Sequence, residues 1–250
     1  MARTGTMLHF LAFADALGGW GRLTRRGVAK VYETLPVDRL AVWAVKYKAR
    51  DGWTQRDALR LAHPKTDDVT RNAVLKFMAS GTLDNSALEG ATDTALHVIE
   101  GHLLALKAGG DLEAAGLMRE YGLPTEAVPT HVPGPEVYRA AMNTHGLNWL
   151  LRNLGNLGRV GVLSVNDRQV TKAVVERLTD PAALKRGRIH PLDALKARLV
   201  YSQGHGVKGT GEWVPVRRWW TRWKTPFTPP SAVCVRRARV TCSRSMCRAA

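Results

Sequence analysis

The chain has 250 residues, 45% of them apolar, with a formal net charge of +16 and a pI near 10.4. Such a chain buries a real core in one large domain or two ordinary ones, and its charge favours a polyanionic partner, nucleic acid or an acidic membrane surface. No apolar stretch reaches the roughly eighteen residues of a membrane span, and the N-terminus lacks the layout of a signal peptide, so no membrane partner is expected.

Charge is unevenly placed. Residues 1–65 carry 12 Lys/Arg against 5 Asp/Glu, residues 66–216 carry 16 of each, and residues 217–250 carry 9 basic residues and no acid. In chain order, Met7, Leu8, Phe10, Leu11, Ala14 and Leu17 form a helical apolar face closed by Gly18-Gly19. After Pro36, residues 37–50 read as a helix with Leu40, Trp43, Ala44 and Tyr47 on one side. Thr54 followed by Asp57 has the spacing of a capping box, opening a short helix that ends near His63 because Pro64 disfavours helix before it. Leu96, Ile99, Leu103 and Leu106 repeat the helical pattern before Gly109-Gly110. Pro191 opens a last helix with Leu192, Leu195 and Leu199, stopped by Gly204. Few runs alternate as strands do. Short helices joined by short loops predict an all-α chain arranged as a helical-repeat array, although no fixed sequence period is visible.

Residues 217–250 differ from the rest in kind, with a Trp/Arg/Cys/Pro bias and no helical period. They read either as a basic, aromatic RNA-binding tail or as an out-of-frame, disordered end. Back-translating WWTRWKTPFTPPS with common codons and moving one base upstream permits VVDALEDAFYAAF, which is amphipathic and acidic. All three cysteines (Cys234, Cys242, Cys247) lie in this segment without a CxxC pair, so no disulfide framework is expected and the expected compartment is the cytoplasm.

Motifs for chemistry are sparse. Gly204, Gly206 and Gly209 match GxGxxG, but a helix precedes them where a dinucleotide site needs a strand, so they read as a helix cap and turn. His97, His102, His131, His145, His190 and His205 show no HExxH or other close ligand spacing, and no GxSxG is present. No catalytic residue, metal or cofactor is expected. The informative stretch is WAVKYKARDGWTQRDALRLAHPK, residues 43–65. On a continuous helix Lys46 and Arg50 share one face beside Trp43 and Tyr47. Lys48 and the next helix's Arg56 and Arg60 add charge, and His63 stands at that helix's C-terminal end. Cations with aromatic and imidazole rings suit phosphates and unpaired bases. A merely solvated charged face is the plainer reading of the same residues.

Four segments carry a resemblance: GGWGRLTRRGVAKVY, AVKYKARDGWTQRDALRLAHPK, LNWLLRNLGNLG and KRGRIHPLDALKARLVYSQGHGVKG. In this order they resemble the TROVE domain of the Ro autoantigen family over roughly residues 3–216. The resemblance implies a ring of HEAT-like repeats and a non-enzymatic, RNA-binding component of a ribonucleoprotein. Its RNAs would be small noncoding Y-like RNAs on the outer surface and misfolded RNAs with a single-stranded 3′ end in a central hole, with RNA-degradation machinery as a further partner. By motif, Lys46, Arg50 and His63 occupy positions implicated in Y RNA contact. Arg152 and Asn153 of LLRN, and Arg188 and His190 of RIHP, match motifs to which the resemblance assigns no specific RNA role. The expected domains are residues 1–216 as a partial TROVE helical-repeat domain and 217–250 as the tail. Relative to the family, repeats preceding Met1 and a von Willebrand A domain with its DxSxS metal site are expected to be missing. A helical scaffold for protein partners, or a non-functional fragment of a disrupted gene, are the alternatives.

Overall fold

The computed structural model describes residues 5–83, 94–129, 131–164, 166–207 and 211–216. Residues 217–250, on which the out-of-frame reading falls, lie outside the described residues. The chain divides into two compact units, Met1–His145 and Gly146–Ala250. The described residues form twelve α-helices and one two-stranded hairpin, the all-α class expected, and within the first unit the helices from Gln55–Ala62 to Pro135–Thr144 each pack on the next, as in a helical-repeat array.

The first unit holds α1 (Gly5–Ala16), α2 (Arg22–Thr34), α3 (Val37–Lys46), β1 (Ala49–Arg50), β2 (Trp53–Thr54), α4 (Gln55–Ala62), α5 (Val69–Ser80), α6 (Thr94–Ala105), α7 (Asp111–Tyr121) and α8 (Pro135–Thr144), with a 3-10 turn at Thr125–Ala127. Helix α3 lies at its centre, packed on α5 and α6, and Leu40, Ala41, Trp43, Ala44 and Val45 of α3 are all buried. Helices α6 and α7 approach closely because residue 101 is glycine: a Cβ there would stand 2.3 Å from the Tyr121 side chain. Helix ends are satisfied by side chains from neighbours. Arg71 donates to the carbonyls of Tyr32 (2.8 Å) and Leu35 (2.7 Å) at the end of α2. The Asp111 carboxylate accepts three backbone N–H groups, from Gly134, Glu136 and Val137 at 2.8, 2.8 and 2.9 Å, and so fixes the start of α8.

The second unit holds α9 (Leu147–Arg159), α10 (Arg168–Thr179), α11 (Pro181–Gly187) and α12 (Pro191–Gln203). Helix α9 packs on α11 and α12, burying Leu147, Leu150, Leu151, Leu154 and Leu157. Gly204 caps α12 in the left-handed region (φ 77°), and the Trp213 N–H returns to the Gly204 carbonyl at 2.8 Å. The GxGxxG match is therefore a helix cap and turn as far as it is described, residues 208–210 lying outside.

Four expectations change. The helix drawn over 37–50 stops at Lys46. Of the α1 face, Met7, Leu8 and Leu11 are buried but Phe10 and Leu17 are exposed, and Leu106 emerges after α6 has ended. On α12, Leu192, Leu195 and Leu199 are all exposed, whereas Ala194 and Tyr201 are buried. Periodicity located these helices; close helix contact selected small residues and one aromatic ring in place of the leucines.

Candidate nucleic-acid interface

The site in the first unit begins where α3 ends. Tyr47 leaves helical geometry at φ −119°, ψ 67°. Two residues later the chain enters a hairpin that pairs Ala49 with Thr54 and Arg50 with Trp53. Its two-residue loop is Asp51-Gly52, both at positive φ (50° and 81°), the turn for which an Asp-Gly pair is favoured. Arg50 is therefore on β1, the chain turns at Asp51-Gly52, and Lys46 and Arg50 do not share a helix face. Strand β2 runs directly into the capping box: the Thr54 hydroxyl accepts the Asp57 N–H at 3.1 Å and the Asp57 carboxylate accepts the Thr54 N–H at 3.1 Å. The Asp57 carboxyl is held below its ordinary pKa, chiefly by its hydrogen bond from the Thr54 side chain.

Polar braces hold this segment. Gln55, buried, donates from Nε2 to the Tyr47 carbonyl at 3.0 Å and accepts the Tyr32 hydroxyl at 2.5 Å. Burial raises the Tyr32 pKa, so its hydroxyl stays a donor. Helix α1 covers the hairpin, with His9 hydrogen-bonded to Asp51, and the Trp20 and Trp53 rings lie 5.2 Å apart.

The outcome brings the cations together by another route. Lys46 Nζ lies 5.6 Å and Arg50 Cζ 5.8 Å from the centre of the Tyr47 ring, inside cation–π range. Lys46, Lys48 and Arg50 line one pocket of about 370 Å³ together with His102, Glu126 and Pro129. Lys46 is half-buried and pairs with Glu126 at 3.6 Å, while Lys48 and Arg50 are exposed. His102 is 1% exposed, with Nδ1 2.8 Å from the Ala127 carbonyl. Its pKa is lowered by burial first and by the Lys48 charge second. His145, which accepts the Thr125 N–H through Nε2 at 3.3 Å, is lowered by burial and then by Lys46. Positive charge in the pocket thus comes from the lysines and the arginine, and burial disfavours the charged form of His102, which lines it, and of His145 nearby. Sequence reasoning placed Tyr47 beside the two cations, though on a continuous helix, and passed over His102 and Glu126 as lining residues. The Asp-Gly pair was the available signal for the hairpin, but nothing local marks His102.

Helix α4 supplies none of the pocket's lining residues. Arg56 turns to α5, donating from Nε to the Ala79 carbonyl at 2.5 Å, and Arg60 is exposed on α4. His63 ends α4 in the left-handed region (φ 48°), exposed, as Pro64 foretold. In the second unit, Arg152 is exposed on α9, and Asn153 is engaged within its own helix, donating to the Trp149 carbonyl at 2.9 Å. Arg188 caps α11 at φ 49°, and His190 caps α12 by accepting the Leu192 N–H at 3.2 Å. Among the described residues, no group of three His, Cys, Asp or Glu is placed to hold a metal, and no helix is long and apolar enough to cross a membrane.

A family model for the TROVE domain matches residues 137–207. The RNA-binding protein RO60 of Deinococcus radiodurans is 74% identical over 219 residues, spanning 87% of this chain and 40% of that protein. The protein of the same name from Caenorhabditis elegans is 30% identical over 247 residues, spanning 81% of this chain and 37% of that one. The crystal structure of the Deinococcus radiodurans Ro (RSR) protein matches with a TM-score of 0.77 and 70% identity, over 88% of this chain and 44% of that chain. The chain thus spans about two fifths of the length of its curated relatives. With the TROVE match, this identity and the shared helical fold, the chain belongs to the Ro family.

Proposed function

We propose that this chain binds RNA without catalysing a reaction on it, with Lys46, Lys48 and Arg50 contacting phosphates around the Tyr47 ring. The carrying observation is that one pocket gathers three cations at the end of α3 and the adjoining hairpin, and that two of them, Lys46 and Arg50, also lie within cation–π range of the Tyr47 ring. A phosphate oxygen displaces Glu126 from Lys46 at little cost, because a partly exposed ion pair is worth under about 1 kcal/mol. Both curated relatives are named RNA-binding proteins, which supports the reading. Motif resemblance supports the finer one: Y-like RNAs and the single-stranded ends of misfolded RNAs, in a cytoplasmic ribonucleoprotein that hands RNA to degradation machinery. Arg56, Arg60, His63, Arg152, Asn153, Arg188 and His190 are the outlying contacts of this reading. Of these, Arg56 and Asn153 each already hold a backbone carbonyl and reach RNA with their remaining N–H donors.

The test is filter binding of RNA bearing a single-stranded end, at several salt concentrations. If Lys46 and Arg50 each neutralise one phosphate, changing both to Ala lowers the log–log salt slope by roughly 1.4–2 units and weakens binding. Unchanged affinity and slope would remove this pocket as the RNA site.

A further inference from the structure

The second unit holds a cleft of about 400 Å³ between α9 and α12, large enough for a single nucleotide. Its walls are two helix faces. Asn148, Arg152 and Gly155 recur at helical spacing on α9, and Asp193, Lys196 and Val200 do so on α12. The Trp213 ring closes one end. This ring is seated by glycines, because a Cβ on Gly155 would lie 2.7 Å from Trp213 Cη2 and one on Gly158 would lie 3.1 Å from its Cβ. Its Nε1–H donates to the Tyr201 carbonyl at 2.9 Å, and the two rings stack at 6.2 Å and 23°. The half-buried indole is therefore held rigidly at the cleft, and its orientation costs nothing further when a ligand arrives.

Arg152 and Lys196 are exposed cations on opposite walls, Asp193 sits with them on the rim, and Leu151, Ala197 and Val200 supply an apolar floor. Asn148, also on the rim, donates to the Gly187 carbonyl at 3.0 Å and braces α9 against α11. Cations with an apolar, aromatic floor suit a ligand that has a phosphate at one end and a flat ring at the other. Asp193 adds an acceptor for an exocyclic amine on such a ring.

We infer that this cleft binds a nucleoside monophosphate unit, its phosphate between Arg152 and Lys196 and its base against Trp213. The unit is either a free nucleotide or one unpaired residue of an RNA strand, since both present the same chemistry. The site lies wholly within the second unit and does not use the Lys46 pocket; with an RNA residue as its occupant it rests on the proposed RNA reading, in which Arg152 is already a contact.

Titrating the full chain with cytidine monophosphate, ribose 5-phosphate and inorganic phosphate by calorimetry tests the inference. Cytidine monophosphate binds tightest, and Arg152→Ala with Lys196→Ala weakens it about tenfold or more. Because both residues are exposed, the double variant keeps its thermal melt, which is recorded alongside. The loss caused by Arg152→Ala with Lys196→Ala is also measured in a Lys46→Ala, Arg50→Ala background and persists there, so failure of the RNA reading and failure of this one are separable. Displacement of bound nucleotide by a short single-stranded oligonucleotide identifies an RNA residue as the source; its persistence identifies the free nucleotide. No binding, equal affinity for all three probes, or full affinity in the double variant overturns the inference.

Discussion

The Lys46 pocket and the α9–α12 cleft both present cations beside an aromatic ring, yet they are built on opposite principles. In the first unit, position comes from polar braces: Gln55 ties the Tyr47 carbonyl to the Tyr32 hydroxyl, and Asp51-Gly52 sets the register that delivers Arg50. In the second, position comes from side chains that are not there: Gly155 and Gly158 leave the space that Trp213 fills. A braced site tolerates extra volume at its surface but not the loss of a brace. A seated site tolerates changes of charge but not an added methyl. Substitutions that remove a hydrogen bond should damage the Lys46 pocket, and substitutions that add one carbon should damage the α9–α12 cleft.

The largest effect expected is from Gln55→Leu. It leaves a buried hydroxyl and a backbone carbonyl without their partner, at about 1–3 kcal/mol each, so urea unfolding should show a loss of roughly 2–6 kcal/mol. Adding Tyr32→Phe removes one of the two orphans and should recover part of the loss. A cost below about 1 kcal/mol, without such recovery, would mean that apolar packing alone holds the hairpin.

A somewhat smaller effect is expected from Gly155→Ala, although alanine is the better helix former. The new Cβ meets the rigid Trp213 ring at 2.7 Å, and overpacking of this kind costs about 1–3 kcal/mol. The same variant should weaken nucleotide binding in the cleft while leaving the RNA salt slope of the Lys46 pocket unchanged. A stabilised Gly155→Ala protein would show that the ring is free to move aside.

What could be read in the sequence follows the same division. Local chemistry was legible: the Thr54–Asp57 box, the stop before Pro64, the Gly204 cap and the helical class of the chain all depend on residues within one turn of each other. The hairpin was legible too, in Asp51-Gly52, but the Lys46–Arg50 spacing imitated a continuous helix and hid it. Contacts between distant segments were not. Leu192, Leu195 and Leu199 make a more apolar stripe than Ala194 and Tyr201, yet α12 buries the latter, because close approach to a neighbouring element rewards fit over size. Nothing around Gly155 announces a tryptophan 58 residues later in the chain. His102 likewise looks like any lone histidine in an apolar run until Ala127 is seen to meet its ring.

The smallest effect separates the units by pH. In the first unit, His102 and His145 both have pKa values lowered from 6.5, mainly by burial and then by Lys48 and Lys46 respectively, with Glu126 opposing the shift at His145. Above pH 6.5 both imidazoles are neutral in the folded and the unfolded chain, and they contribute no pH dependence. As pH falls through 6.5, the unfolded chain takes up protons that the folded pockets still refuse, so the unfolded state is favoured. The loss continues until pH reaches the lowered folded values and then levels off. A fall of a few degrees in melting temperature between pH 7.5 and 5.5 is therefore expected, reduced in His102→Gln and in His145→Gln. Hydrogen exchange locates it: corrected for intrinsic rates, amides of α6 and α8, which carry or adjoin these histidines, should lose protection on acidification, and those of α9 should keep theirs. Equal loss in α6 and α9 would trace the effect to global charge in place of these two rings, and would remove pH as a means of telling the braced site from the seated one.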